Sequence, residues 1–539
     1  MTVPRPQPRL DLAAFVPAFG IAVAVACLLI LMPQQAETWA ADLMSMVTSE
    51  FGWLFVIFGF GTFVFALWLA FGRFGQVKMS RTDEPPEYSE LSWAAMMFSA
   101  GIGIGLVSWS FVEPIYYLST PPLHLQAHSA SAAEWGHMYA QFHWSFVPWA
   151  LYAVPSVAVA YMLHVDHRPF LRISEVCRPL LGRRADGWLG SLIDTLIILG
   201  LIGGAGTSLG LGVPLVSALT TSLLGIPETL LTRLAVIAVW TLIFGASAYK
   251  GLKAGIRILS DINIFLAIAV VLVVLLAGPT VFILSMSANS LGLMLNNFTR
   301  ISFWLDPIKH GGFPEAWTLF YWGWWIAYAP LMGLFFGRIS RGRTIRQMVL
   351  GIMAWGSLGC VAFLSICGAY ALNLELSGTL NVTQSLHDSG IPATVVAIIR
   401  TLPFSQVILA AFTLLSFVFL ATTLDSSAYV LASISTKNLY GEQEPAQLNR
   451  LAWSFVLALI AVGLLFASGL QTVKSMTIIL ALPLMLVLFV VFRSLMRTLN
   501  NDFGQRVRKR ALVIEPKVEA TPQPSSQPFY QESQESQHG

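Results

Sequence analysis

From residue 12 to 497 the chain alternates long apolar runs with short polar ones, and this alternation sets its architecture. An α-helix needs about 20 apolar residues to cross a hydrocarbon layer. Twelve spans of that kind are predicted, at 12–32, 52–72, 93–118, 142–163, 190–224, 231–248, 257–284, 316–337, 348–373, 405–434, 452–470 and 473–496. The fifth and tenth are long and interrupted by Gly or Thr. Two further stretches do not read as spans. Residues 286–310 mix Leu, Phe and Trp304 with Asn, Arg300 and Lys309, the pattern of an amphipathic helix at a membrane surface. Residues 374–403 read as a loop plus a short helix.

Composition strengthens this picture. A chain of 539 residues that is 56% hydrophobic and 11% charged cannot hide its apolar surface in one soluble core, so lipid must solvate much of it. The expected class is an all-α polytopic membrane protein with no separate soluble domain. Lys and Arg select the orientation, because short loops rich in them stay inside. With the N-terminus inside, 26 of the 31 basic residues fall on the cytoplasmic side, leaving only Arg233, Arg300, Lys309, Arg400 and Lys474 outside. Both termini are therefore expected in the cytoplasm, with the chain in a bacterial inner membrane.

Cys27, Cys177, Cys360 and Cys367 fall in spans or on the cytoplasmic side without metal-ligand spacing, and are expected reduced. The first apolar run reads as a span rather than a cleavable signal. Past the last span, Arg506, Arg508, Lys509 and Arg510 form a basic cluster suited to anionic lipid or to regulation. The Pro-, Ser- and Gln-rich end beyond it cannot bury a core and is expected to be disordered.

Candidate chemistry lies in the third, fourth, eighth and tenth spans. The third contains Gly101, Gly103 and Gly105 at every second position, and each glycine weakens a helix by roughly 1 kcal/mol. Such a run marks either tight helix packing or a break whose freed backbone lines a cavity. The fourth span offers Trp144, Trp149 and Tyr152 within an arc of roughly 140°, and the eighth offers Trp324, Trp325 and Tyr328 within roughly 100°, with Trp322 just beyond. Two such faces could enclose a cage, or serve as packing and interfacial anchors. A trimethylammonium group has no N–H to donate, whereas aromatic faces hold it at about 2 kcal/mol per desolvated contact.

The segment Phe320-Tyr321-Trp322-Gly323-Trp324-Trp325-Ile326-Ala327-Tyr328-Ala329-Pro330, continuing into Arg338-Ile339-Ser340-Arg341-Gly342-Arg343-Thr344-Ile345-Arg346, closely resembles the signature of the betaine/carnitine/choline transporter family. The Gly101–Gly105 run leading to Glu113-Pro114, the Trp144/Trp149/Tyr152 spacing and Thr207-Ser208-Leu209-Gly210-Leu211-Gly212 agree with it. The resemblance implies a LeuT-like core of two inverted five-helix repeats, and assembly as a homotrimer. It would place a cytoplasmic segment at 1–11, two leading helices at 12–92, the first repeat at 93–284, a periplasmic amphipathic segment at 285–315, the second repeat at 316–497 and a cytoplasmic tail at 498–539. It also implies that Trp144, Trp149, Tyr152 and Trp325 form a central aromatic box, with Trp322, Trp324 and Tyr328 on a path beside it.

For coupling, the resemblance suggests a Na⁺ site made by Thr422 and Thr423 with carbonyls around Ala100 and Ile102, next to Phe419. The alternative is that these hydroxyls bond back to their own helix. A second family sodium site draws on threonines where this chain has Leu201 and Ala205, so that site is expected to be absent. Sodium-free exchange then becomes a serious alternative to symport. Gly105 stands where proton-coupled choline carriers tend to have Asp, which favours a zwitterion; Tyr116-Tyr117 and Met332 look more like the carnitine/butyrobetaine exchangers. Those exchangers carry an arginine within the seventh span, where this chain has only Arg257 at its start.

Glu113, Asp194, Asp261 and Asp425 are read mainly as structural, and His143 as a hydrogen-bonded packing residue. No metal cluster, nucleophile elbow or phosphate loop points to an enzyme, and no nucleic-acid partner or organic cofactor is expected. The partners expected are a small quaternary-ammonium solute and membrane lipid. A solute-gated channel or sensor could use the same cage without coupled translocation.

Overall fold

The computed structural model describes residues 7–80, 84–101, 103–168, 170–250, 253–440, 443–467 and 469–514. Ile102 and the end of the chain after residue 514 lie outside them, as do the side chains of Arg257 and Asp261. The contacts divide the chain into Met1–Leu495 and Met496–Gly539; the second unit contributes the end of the last helix.

Helices α1 (Leu12–Leu31) and α2 (Pro33–Phe71) lead the chain. The third span is two helices, α3 (Glu90–Gly101) and α4 (Ile104–Ser119), bent by 62° at the break. The fourth is also interrupted, as α5 (Ala130–His143) and α6 (Phe146–Ala160). Two short helices, α7 (Ile173–Val176) and α8 (Arg178–Leu181), precede α9 (Trp188–Leu224), α10 (Leu230–Lys250), α11 (Lys253–Ala277) and α12 (Thr280–Phe303). Then come α13 (Leu319–Ile339), α14 (Ile345–Leu376), α15 (Val382–Arg400), α16 (Ser405–Ile434), α17 (Gln447–Phe466) and α18 (Gly469–Ile514).

Ten of the described helices are long and apolar enough to cross a membrane, or eleven with the bent pair, against the twelve predicted. The difference has two sources. The described apolar parts of the sixth and seventh spans, Leu230–Ile243 and Ile262–Ala277, are shorter than a full crossing. Conversely, Thr280–Phe303, read from sequence as part of a surface segment, is a single helix that passes on length and composition. The second span is also longer than predicted, since its helix begins at Pro33.

Local chemistry explains the helix ends. Thr344 opens α14 with a capping box, its hydroxyl accepting from the Gln347 backbone N–H while the Gln347 side chain accepts from the Thr344 N–H. The Asn381 side chain caps α15, and Gly225 closes α9 in the left-handed conformation. The helices that matter most pack in reciprocal pairs: α13 lies along α6, α14 along α3 and α4, and α9 against α16. A two-stranded ribbon, β1 (Arg9–Leu10) with β2 (Thr436–Lys437), ties the N-terminal segment to the end of α16. Beside it a buried charge cluster joins Asp11, Arg172, Asp194 and Lys437, which gives Asp194 the structural role expected of it.

Candidate functional site

Both interrupted spans break beside one cavity. Gly103 is extended between α3 and α4 (φ −138°, ψ 178°), so α3 ends at this break, where the terminal carbonyls of a helix are free of its own ladder. In the other break, Trp144 and Ser145 leave the helical path between α5 and α6. The arc deduced for Trp144, Trp149 and Tyr152 assumed one continuous helix, which the chain does not have. Trp144 reaches the site from the end of α5, and Trp149 and Tyr152 from α6.

The cavity measures about 530 Å³, within the range of small-molecule sites. Trp144, Tyr152, Trp324, Trp325 and Tyr328 line one end of it with Gly103 and Gly105. The Trp325 ring centroid lies 5.6 Å from that of Trp144, 5.4 Å from Trp149 and 4.8 Å from Tyr152. From this box the cavity passes Tyr328 and Met332 to Arg338 and the Glu444–Arg450 ion pair (3.1 Å).

Three indole N–H groups, those of Trp144, Trp149 and Trp325, fix the rings in place. Breaking the fourth span frees the His143 and Trp144 carbonyls; Trp325 Nε1 donates to the first (3.1 Å) and Trp149 Nε1 to the second (3.2 Å). Trp144 Nε1 donates instead to Glu113 Oε2 (3.1 Å). Close packing also needs two glycines. A Cβ on Gly105 would sit 2.3 Å from Trp324, and one on Gly356 of α14 would sit 2.3 Å from Trp149.

Not every residue singled out from sequence reaches the cavity. Trp149 is fully buried behind the box. Trp322 faces the other way, against Phe142, His143 and Gly59 of α2, so it is not part of a path along the cavity. Tyr117 is also buried away from it, its hydroxyl on Glu113 (2.7 Å) and beside His143 Nδ1 (3.0 Å). Gly101 ends α3, and Gly103, Gly105 and Met332 line the cavity.

Of the proposed cation ligands, Ala100, Phe419, Thr422 and Thr423 line the same cavity, together with Ser99; Ile102 lies outside the described residues. Thr422 Oγ1 donates to Val418 O (2.9 Å) and Phe419 O (3.2 Å), the back-bonding alternative, although its oxygen keeps lone pairs for a cation. Freed carbonyls and hydroxyls form a hard-oxygen set that suits Na⁺. Leu201 and Ala205 are buried in α9 without side-chain oxygens.

Two buried ionisable groups were only partly legible in the sequence, Glu113 having been read mainly as structural and Lys474 as an outside residue. Glu113 is fully buried and collects Tyr117, Tyr321 (2.7 Å) and Trp144 as donors. Lys474, expected in an outside segment, is buried within α18, with its amine 3.5 Å from the Trp317 ring centroid and donating to Ala316 O (3.0 Å). The Glu113-Pro114 pair in mid-span was the available signal for the first. For the second there was none, because Lys474 stands at an apolar run's edge, where a loop lysine would also stand.

Helices of membrane-crossing length around an aromatic-lined cavity define a polytopic membrane protein with a small-solute site. The family model for BCCT, the betaine/carnitine/choline family transporters, matches residues 13–504, and the chain belongs to that family. It is therefore a multi-pass transporter of the betaine/carnitine/choline type.

Proposed function

We propose that this protein carries a quaternary-ammonium zwitterion, of the glycine betaine or carnitine kind, across a bacterial inner membrane by alternating access and coupled to Na⁺. The carrying observation is the box of Trp144, Tyr152, Trp324, Trp325 and Tyr328, which offers aromatic rings to a cation that cannot hydrogen-bond. The cavity reaches Arg338 and Arg450, on the side rich in basic residues, and the opposite side is filled by buried Trp109, Tyr117, Trp317 and Tyr321. That asymmetry supports a cytoplasm-facing state of a rocking carrier.

The reciprocal packing of α13 on α6 and of α14 on α4 supports the reading of two inverted repeats. Na⁺ at Thr422, Thr423 and the end of α3 would tie helices from both repeats and favour one state over the other. Trimeric assembly and cytoplasmic termini belong to the same proposal. A second reading, sodium-independent exchange of substrate for product, is favoured by Leu201 and Ala205, which remove one candidate sodium site.

Uptake of labelled glycine betaine and carnitine into proteoliposomes separates the readings. Accumulation that requires an inward Na⁺ gradient supports symport, and uptake that requires internal substrate instead supports exchange. Absence of both transport and binding for either solute refutes the proposal.

A further inference from the structure

Trp144, Trp149 and Trp325 all donate to protein acceptors, but only one of these acceptors is a carboxyl group. Trp149 and Trp325 donate to carbonyls, whereas Trp144 donates to Glu113 Oε2 at 3.1 Å. Tyr117 and Tyr321 hydroxyls approach the same carboxyl group at 2.7 Å each, and all three donors are buried. Three converging donors match the hydrogen-bonding needs of an acceptor-only carboxylate. A buried amine lies in the same region. The Lys474 amine lies 3.5 Å from the Trp317 ring centroid, which is itself 4.8 Å from that of Tyr117.

A hydrogen bond from an indole N–H to an anion shifts electron density into the ring, as bonds in a low-dielectric network polarise one another. The π-face that meets a cation then becomes more negative. We propose that Glu113 is a positioning residue for the substrate cation: it fixes the Trp144 ring and, through the charge behind that ring, raises the box's preference for a permanent cation over a neutral group of the same shape. Glu113 acts through Trp144, which stands between it and the cavity. The inference rests on the box being a quaternary-ammonium site.

The test uses the full-length purified carrier and two probes, glycine betaine and 3,3-dimethylbutanoate, its isostere with carbon in place of nitrogen. The readout is the ratio of their dissociation constants. Glu113→Gln keeps an oxygen for the Trp144 N–H but removes the charge, and should lower the preference for betaine about tenfold. Tyr117→Phe removes a donor and keeps the charge, so it should leave the ratio as in the unaltered protein. A purely structural role would weaken both probes in parallel, and an unchanged ratio in Glu113→Gln overturns the proposal.

Changing one of two buried ionisable groups can prevent folding, so Glu113→Gln/Lys474→Met compared with Lys474→Met provides a second route with the same expected tenfold fall. If the unaltered carrier shows no preference for betaine over the isostere, it is the assignment of the box that fails. That result is distinct from a normal preference which Glu113→Gln does not alter.

Discussion

Replacing Trp325 with Leu isolates the contribution of the box. Trp325 is the ring on which Trp144, Trp149 and Tyr152 converge, at centroid distances of 4.8 to 5.6 Å. Leucine keeps an apolar filler but offers no π-face. One desolvated cation–π contact is worth about 2 kcal/mol, so the dissociation constant for glycine betaine should rise roughly thirtyfold. The substitution also strands the His143 carbonyl that Trp325 Nε1 satisfies. That cost of about 1–3 kcal/mol falls on the free and occupied protein alike and appears in the melting temperature rather than in affinity. Trp325→Phe therefore serves as the control: it loses the same hydrogen bond but keeps a π-face, and should bind within several-fold of the unaltered protein. Scintillation-proximity binding of labelled betaine gives the affinities, and thermal unfolding in detergent gives the stabilities. Trp325→Leu binding within twofold of the unaltered carrier would refute the aromatic box as the origin of affinity.

Other perturbations probe the parts around it. Gly105→Ala places a Cβ 2.3 Å from the Trp324 ring, so that ring must leave its position and betaine binding should weaken at least about tenfold, measured by the same assay. Thr423→Val removes a cavity-lining hydroxyl without changing shape and should raise the Na⁺ concentration for half-maximal uptake about tenfold, the loss of roughly 1.4 kcal/mol of ligation; an unchanged Na⁺ dependence places coupling elsewhere. Asp11→Asn breaks the buried pairs with Arg172 (2.7 Å) and Lys437 (2.9 Å) and should cost about 3–5 kcal/mol of stability, read as a lower melting temperature. Burial pushes the Asp11 carboxyl up, but Lys437 and Arg172 outweigh it and hold it below the ordinary carboxylate value. A depressed folded value means this stabilisation is fully present above the unfolded value near pH ~4 and is lost as pH falls further. Asp11→Asn should accordingly flatten the acid limb of the stability profile.

Apolar run length alone located most of the helices, because a hydrocarbon layer imposes one length on every crossing. Breaks inside a span were legible only where glycine marked them. The Gly101–Gly105 run announced the α3/α4 break, but the α5/α6 break at Trp144–Ser145 carries no glycine and was missed. That omission misplaced the aromatic arc, since a helical wheel assumes one axis. Residue type identified the aromatic candidates but could not say which way each ring points; Trp322 and Trp324, two residues apart, face α2 and the cavity respectively. Lys474 shows the limit of charge counting, which reads any lysine near a span's edge as solvated.

A tryptophan presents its π-face and its N–H in perpendicular directions, and the site uses both. Trp144 and Trp325 line the cavity, while their N–H groups, and that of Trp149 behind them, are bound to Glu113 and to carbonyls freed by the broken fourth span. The break and the box therefore depend on each other. Without the indoles, two buried carbonyls at the interruption would lack partners; without the interruption, Trp144 would not reach the cavity from the end of α5. Ring orientation is thereby fixed before any solute arrives, so binding does not have to offset the ordering of these side chains. Phenylalanine at 149 or 325 would offer a face but leave a carbonyl unpaired, at about 1–3 kcal/mol each. Indole, not merely aromaticity, is what this backbone requires.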